Sequence, residues 1–283
     1  MSLAAPESPL APQPPASPSG ADAWPAWVAP VGLVAGLIGA FVGGLIVVIV
    51  AQAFGVDATG DDTPPGVLLG ATFVQDVAFV GAVIVFARMT GPVFAEHLGL
   101  RPTRLVRAVV GVLATYVGFL VLAGLWWLIV GTPDDEPLLD DLGVDESTVL
   151  LVLGLVTVCV LAPLVEEVFF RGFFFRALRN AMTVPMAAIC TGVVFGLMHL
   201  LSSPIEAIVP LAILGALFCL LYQATGSIYP CIAAHAINNS VAFGVAEDWG
   251  WEIAPLIVGS LAACALVVWA ATRTWPPAAT AAA

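Results

Sequence analysis

Lysine is absent from the 283-residue chain, and all eight of its basic residues are arginine. Charge is scarce altogether. Asp, Glu, Lys and Arg make up 10 % of the residues, against about a quarter in an average soluble domain. So little polar surface cannot cover a water-facing globule of this length, which excludes an ordinary soluble enzyme and a disordered chain. The charge is also of the wrong sign for nucleic acid, because 20 acidic residues leave a net charge of −12. Paired cysteines are missing too. Cys159, Cys190, Cys219, Cys231 and Cys264 stand singly in apolar stretches, without a CxxC. Neither a disulfide frame nor a zinc ribbon follows, and burial as small hydrophobes accounts for them.

What the chain does have is apolar sequence, 60 % of its residues, with a mean hydropathy of +1.04. The fold class this predicts is all-α: a polytopic transmembrane helical bundle of about eight spans. Segments near the ~20 residues needed to cross hydrocarbon run Trp27–Phe54, Gly66–Arg88, Arg107–Val130 and Thr148–Phe170, then Val184–Leu201, Ile205–Tyr222, Ser227–Val245 and Ile253–Thr272. The bundle occupies 27–272. Residues 1–26 are rich in Pro, Ala and Ser, lack the basic start of a secretory signal, and read as a disordered cytoplasmic N-terminal tail. Residues 273–283 read as a C-terminal tail.

Charge placement tests this count. With an even number of spans and both termini inside, Arg88, Arg101, Arg104, Arg107, Arg171, Arg176, Arg179 and Arg273 all fall near the cytoplasmic face. The opposite loops carry Asp57, Asp61, Asp62, an acidic run from Asp134 to Glu146, and Glu247, Asp248 and Glu252, with no basic residue. This obeys the positive-inside rule and predicts an integral, multi-pass membrane protein with cytoplasmic termini. The eight tryptophans fall near the expected interfaces, where indoles prefer to sit. No internal repeat is visible, which argues against a transporter of inverted halves. The acidic run lacks an EF-hand's glycine and spacing and reads as a solvated connection.

Polar residues inside spans are costly and point to function. They are few: Gln75 and Asp76; Glu166, Glu167 and Arg171; His199; and His235, Asn238, Asn239 and Ser240. His97 reads as interfacial. Glu206 reads as an acid favouring the positive end of the sixth helix. Gln75 and Asp76 read as packing or water-contact groups, with a substrate-side role for Asp76 as the alternative.

Three patterns stand out. In the stretch Glu166-Glu167-Val168-Phe169-Phe170-Arg171, Glu167 and Arg171 are four apart on one helix face and can pair. Glu166 points elsewhere and is left available for proton transfer. Phe195 and His199 are four apart, and so are His235 and Asn239. A histidine and an asparagine on one face can both donate to a developing oxyanion, or can simply pack between helices. Depth permits a meeting. Glu166 lies about 21 Å along its helix from Asn180, and His199 about 24 Å from Thr183. His235 and Asn239 lie about 14 and 20 Å beyond Gly226. Pro163 is expected to kink the fourth helix just before the acids.

The three motifs, EExxxR, FxxxH and HxxxN in this order, resemble those of the CPBP family, the CAAX-protease and bacteriocin-processing group that includes type II CAAX prenyl endopeptidases. The resemblance covers about residues 148–245 and implies an intramembrane endopeptidase. It implies catalytic roles for Glu166, His199, His235 and Asn239, with structural support from Glu167, Arg171 and Phe195. In a metal-free version, Glu166 and His199 activate a water, and His235 and Asn239 hold the oxyanion. In a metalloprotease version, His199, His235 and Glu166 ligate zinc or another divalent metal. The lack of an HExxH and the poor suitability of Asn as a zinc ligand favour the first, so no cofactor is assigned. Expected partners are a peptide or membrane-protein substrate, with or without a lipid, and membrane lipids. From the residues alone, an acid/base site in a membrane also fits a proton- or ion-coupled transporter, or a scaffold or chaperone that retains the site without using it.

Overall fold

The computed structural model describes residues 24–58, 63–89, 93–132 and 137–275. The expected tails at 1–23 and 276–283 lie outside the described residues, as do Asp61, Asp62, Asp134, Asp135 and Glu136. Among the described residues the chain is helical and contains no strand. Eight main helices follow one another: α1 (Val28–Ala53), α2 (Pro65–Arg88), α3 (Leu105–Val130), α4 (Thr148–Leu178), α5 (Val184–Leu197), α6 (Ile208–Thr225), α7 (Tyr229–Ala246) and α8 (Ile253–Thr274). Most boundaries fall within a few residues of those expected. The fourth helix runs on to Leu178, past the Phe170 end of its apolar segment and close to the Asn180 from which the depth of Glu166 is reckoned. The fifth differs, ending at Leu197 and leaving His199 in the turn beyond.

Among the described residues, six helices are long and apolar enough to cross a membrane: α1, α2, α3, α4, α6 with its lead-in from Ile205, and α8. The remaining two refine the expected eight. α5 has only 14 residues, and α7 carries His235, Asn238, Asn239 and Ser240 within its 18. Large apolar side chains such as Phe41, Leu113, Leu128, Ile129, Val258 and Leu266 point outward. Outward apolar faces on six such helices make this an integral membrane protein.

Between helices in lipid, hydrophobicity supplies no driving force, so packing and hydrogen bonds must hold the bundle. α1 packs on α2, α5 on α6, α3 on α6, and α7 on α8. The α5–α6 contact is close because it is lined with glycine. A Cβ on Gly192 would lie 2.4 Å from the Ala212 carbonyl oxygen, and one on Gly196 would lie 2.6 Å from that of Ile208.

α7 is tied on every side. Tyr116 of α3 donates to the Ala234 carbonyl, Cys231 Sγ contacts the Phe218 carbonyl of α6, and Ser240 Oγ donates to Ser260 Oγ of α8. Asn239 Nδ2 donates to the Val158 carbonyl of α4 at 2.9 Å. That last bond meets a need created by Pro163. Without an N–H, Pro163 cannot bond the Cys159 carbonyl one turn earlier. The strain is absorbed by a π-helical segment, Thr157–Leu161, whose loosened carbonyls look outward. Asn239 takes one of these, and Cys264 Sγ of α8 lies 4.0 and 3.8 Å from the next two.

The ends of the bundle differ in charge. At one end, Arg101 Nε donates to the Gly226 carbonyl and Arg176 Nη1 to the Glu96 carbonyl. Trp275 Nε1 donates to the Val93 carbonyl, and Asn180 to that of Trp24. Trp24, assigned from sequence to the tail, is buried there against Phe173. At the other end, Glu247 sits among Asp145, Asp140 and Asp248.

Candidate active site

Glu166 and Glu167 close the short α-helical stretch Ala162–Glu167 of α4, between the π segments Thr157–Leu161 and Val168–Phe174. Single π turns inside α-helices occur frequently at functional sites, because they re-aim side chains. Here the two adjacent acids take different environments. Glu167 is completely buried, while the Glu166 side chain retains 25 % exposure.

Glu167 Oε1 accepts two hydrogen bonds. Arg171 Nη1 donates to it at 2.8 Å, and His235 Nδ1 lies 2.8 Å away from the side of α7. Arg171 is itself fully buried. Its Nη2 donates to the Gly215 carbonyl of α6 at 2.9 Å, and its guanidinium lies over the rings of Phe195 and Phe218 at 4.8 and 5.1 Å. A buried arginine survives only when its charge is matched and its donors are used. Glu167, a backbone carbonyl and two aromatic faces meet that demand and join α4 to α5, α6 and α7.

The bond to Glu167 fixes His235. A proton on Nδ1 directs Nε2 to the other side of the ring, where Glu166 Oε2 lies 3.8 Å away. That distance is too long for a direct hydrogen bond. Glu166 Oε2 is nevertheless buried and has no partner among the described residues. His199 stands across the Phe195 ring. Its Nδ1 lies 2.8 Å from the Phe195 carbonyl, so a proton on Nδ1 leaves Nε2 as the free base. The Phe195 ring sits 4.8 Å from the His199 ring and 5.9 Å from the His235 ring, separating and orienting both.

The structure thus brings Glu166, Glu167, Arg171, Phe195, His199 and His235 around one centre. Asn239 lies one turn beyond His235 on α7, with its amide engaged to Val158 and its Oδ1 accepting from Asn238 at 3.4 Å. Of the polar residues noted early in the chain, Gln75 is exposed, whereas Asp76 turns inward and interacts electrostatically with Glu166. His97 belongs to the short 3₁₀ turn Ala95–Leu98. Glu206 accepts from Trp126 through its carbonyl. Sequence reasoning missed Gly215, which offers the carbonyl that Arg171 needs. It also missed Gly192 and Gly196, whose GxxxG spacing was the available signal.

The metal alternative meets an obstacle in this arrangement. Among the described residues no three His, Cys, Asp or Glu side chains converge as a metal-holding group. His235 and His199 hold Nδ1 toward Glu167 and the Phe195 carbonyl, which leaves the Nε2 of each open. What a metal lacks in this arrangement is a third converging ligand, since no such group of three is assembled among the described residues.

Residues 148–241 match the family model described as Type II CAAX prenyl endopeptidase Rce1-like. The match spans α4 to α7, contains every residue of the centre from Glu166 to Asn239, and leaves α1–α3 and α8 outside it. No curated protein and no solved structure gives a match. The residues that build the buried centre therefore all lie within the segment that is similar to this Rce1-like, CAAX-type membrane protease family.

Proposed function

We propose that the protein is an intramembrane endopeptidase in which Glu166 and His199 activate a water molecule. The observation that carries this reading is the sharing of Glu167 Oε1 by Arg171 and His235. It leaves Nε2 of His235 and an unpartnered Oε2 of Glu166 facing one small volume. Peptide hydrolysis needs a base for water, a donor for the oxyanion and an acid for the leaving amine. Glu166, assisted by His199 from across the Phe195 ring, takes a proton from water as the oxygen bonds to the scissile carbonyl carbon. His235, when protonated, donates through Nδ1 to Glu167 and through Nε2 to the oxyanion. Asn239 lies on the same face; one N–H of its amide donates to Val158, and the second contributes to the oxyanion. The proton held by Glu166 then passes to the leaving nitrogen as the C–N bond breaks. Arg171 and Glu167 reach no substrate; they hold His235 in register.

Cleavage of fluorogenic peptides by purified protein in liposomes tests the reading. Lipidated and unlipidated versions are compared, with and without chelator. Cleavage is expected to persist with chelator and to fall at least ~100-fold in Glu166→Gln and His199→Ala, within the range attributed to general acid–base groups. Loss of cleavage with chelator overturns the metal-free mechanism. Failure of the wild-type protein to cut any peptide overturns the protease assignment.

A further inference from the structure

Asp76 is a carboxyl group on α2, in a part of the chain outside the matched family segment. Its neighbour Gln75 is exposed, but Asp76 is half-buried and interacts electrostatically with Glu166 of α4. The register between the two helices is fixed by aromatic contact. The Phe79 and Phe169 rings meet edge to face at 4.8 Å, and both are buried. Asp76 lies three residues before Phe79, and Glu166 lies three residues before Phe169. Residues three apart share a helix face. α2 and α4 both run from the acidic end of the bundle toward the arginine end, so each carboxyl sits one turn from the ring contact on the same side. The two carboxyl groups interact electrostatically.

Each of these carboxyls also leaves one oxygen unsatisfied. Asp76 Oδ2 and Glu166 Oε2 are both buried and without a hydrogen-bond partner among the described residues. An orphaned buried acceptor is costly, and two on carboxyls that feel each other's charge are met economically by one shared donor. A water molecule has two O–H groups to give. From this geometry we infer that Asp76 is a further catalytic residue, which grips the attacking water together with Glu166. The inference rests on the proposed peptidase reading.

The arrangement has a stereochemical consequence. A water that donates one O–H to Glu166 and the other to Asp76 has its lone pairs directed away from both carboxyls. A scissile carbonyl lying on that side is attacked along a lone pair. Glu166 takes the first proton as the C–O bond forms. The second O–H stays bonded to Asp76 and holds the tetrahedral hydroxyl in place. Atoms and charge balance without any further reactant.

The test compares Asp76→Asn, Asp76→Leu and Gln75→Leu with wild type in the peptide assay, reading kcat and KM separately. Asn keeps an oxygen that accepts from water, and Leu keeps only the shape. Asp76→Leu is expected to lower kcat about 10- to 100-fold with KM within about twofold, as for loss of a group that orients a reacting atom. Asp76→Asn is expected to recover a substantial part of that loss, and Gln75→Leu to match wild type. Thermal unfolding of each variant separates a folding defect from a catalytic one: equal melting temperatures with unequal kcat support the inference. Wild-type kcat in Asp76→Leu overturns it while leaving the peptidase reading intact. A rise in KM alone assigns Asp76 to substrate binding and overturns it equally. Absence of cleavage by the wild-type protein overturns both.

Discussion

At the residue scale the decisive fact is that one carboxylate oxygen serves both a permanent cation and a histidine. Glu167 Oε1 bonds Arg171 and His235 at the same 2.8 Å distance. The buried pair is not there because ion pairs stabilise. Desolvating both partners costs about as much as their attraction returns, whereas stripping one partner from a buried pair costs about 3–5 kcal/mol. This predicts strong coupling. Arg171→Met keeps the packing against Phe195 and Phe218 and leaves Glu167 unmatched, so its melting temperature is expected to fall sharply. The double variant Glu167→Gln/Arg171→Met removes both charges and is expected to regain part of that loss. The cysteines supply a convenient readout, since four are buried and one is half-buried, so a thiol-reactive dye reports unfolding directly. Simple additivity of the two single substitutions would remove the case for a coupled pair.

At the element scale, the site depends on how closely α5 can approach α6. A Cβ on Gly192 would clash with the Ala212 carbonyl oxygen at 2.4 Å, and backbone cannot yield as a side-chain tip can. Gly192→Ala is therefore expected to destabilise by about 1–3 kcal/mol, the usual cost of overpacking. It should also lower cleavage, because α5 carries Phe195 and leads into His199. Gly44→Ala, where a Cβ meets nothing within 4 Å, is the matched control and is expected to be neutral. Equal melting temperatures for the two variants would refute the close-approach argument. The same elements show what the sequence could and could not convey. Helix number, order and most ends were legible because hydropathy and interruption by Gly, Pro and charge are local properties. The Glu167–Arg171 pairing was legible because it is an i,i+4 relation. His235 bonding to Glu167 was not, since it joins residues 68 apart. Nor were the π turns around the acids: Pro163 hinted at the first, but the aromatic run at 168–175 reads as ordinary helix. The turn holding His199 was missed because an apolar run continues through Leu200 and Leu201, and periodicity does not mark where a helix stops short.

At the scale of the whole molecule, the charges sort the two ends. Arg101 and Arg176 pin the loop and turn backbones of one end, whereas Glu247, Asp145, Asp140 and Asp248 crowd the other. Partial burial, and then the neighbouring acids, push the Glu247 carboxyl above its ordinary range. In the folded protein Glu247 therefore holds its proton to higher pH than in the unfolded chain, so this group's contribution to stability declines as pH rises from about 4.5 through the raised value. Repulsion at an open end is mild and screened, and its persistence there fits a face selected by membrane topology and not by stability. The positive-inside rule then predicts that the arginine end, with both termini, faces the cytoplasm. Single cysteines decide it. Asp145 and Pro102 are exposed at opposite ends, four native thiols are buried, and the half-buried Cys190 is controlled for by labelling the parent protein. In intact cells a membrane-impermeant maleimide is expected to label Asp145→Cys and to spare Pro102→Cys until the membrane is permeabilised. Labelling of Pro102→Cys alone in intact cells would invert the topology. That inversion would also turn the α4 end nearer Glu166 outward, so the same experiment decides from which side of the membrane a substrate has the shorter path to the carboxyl pair.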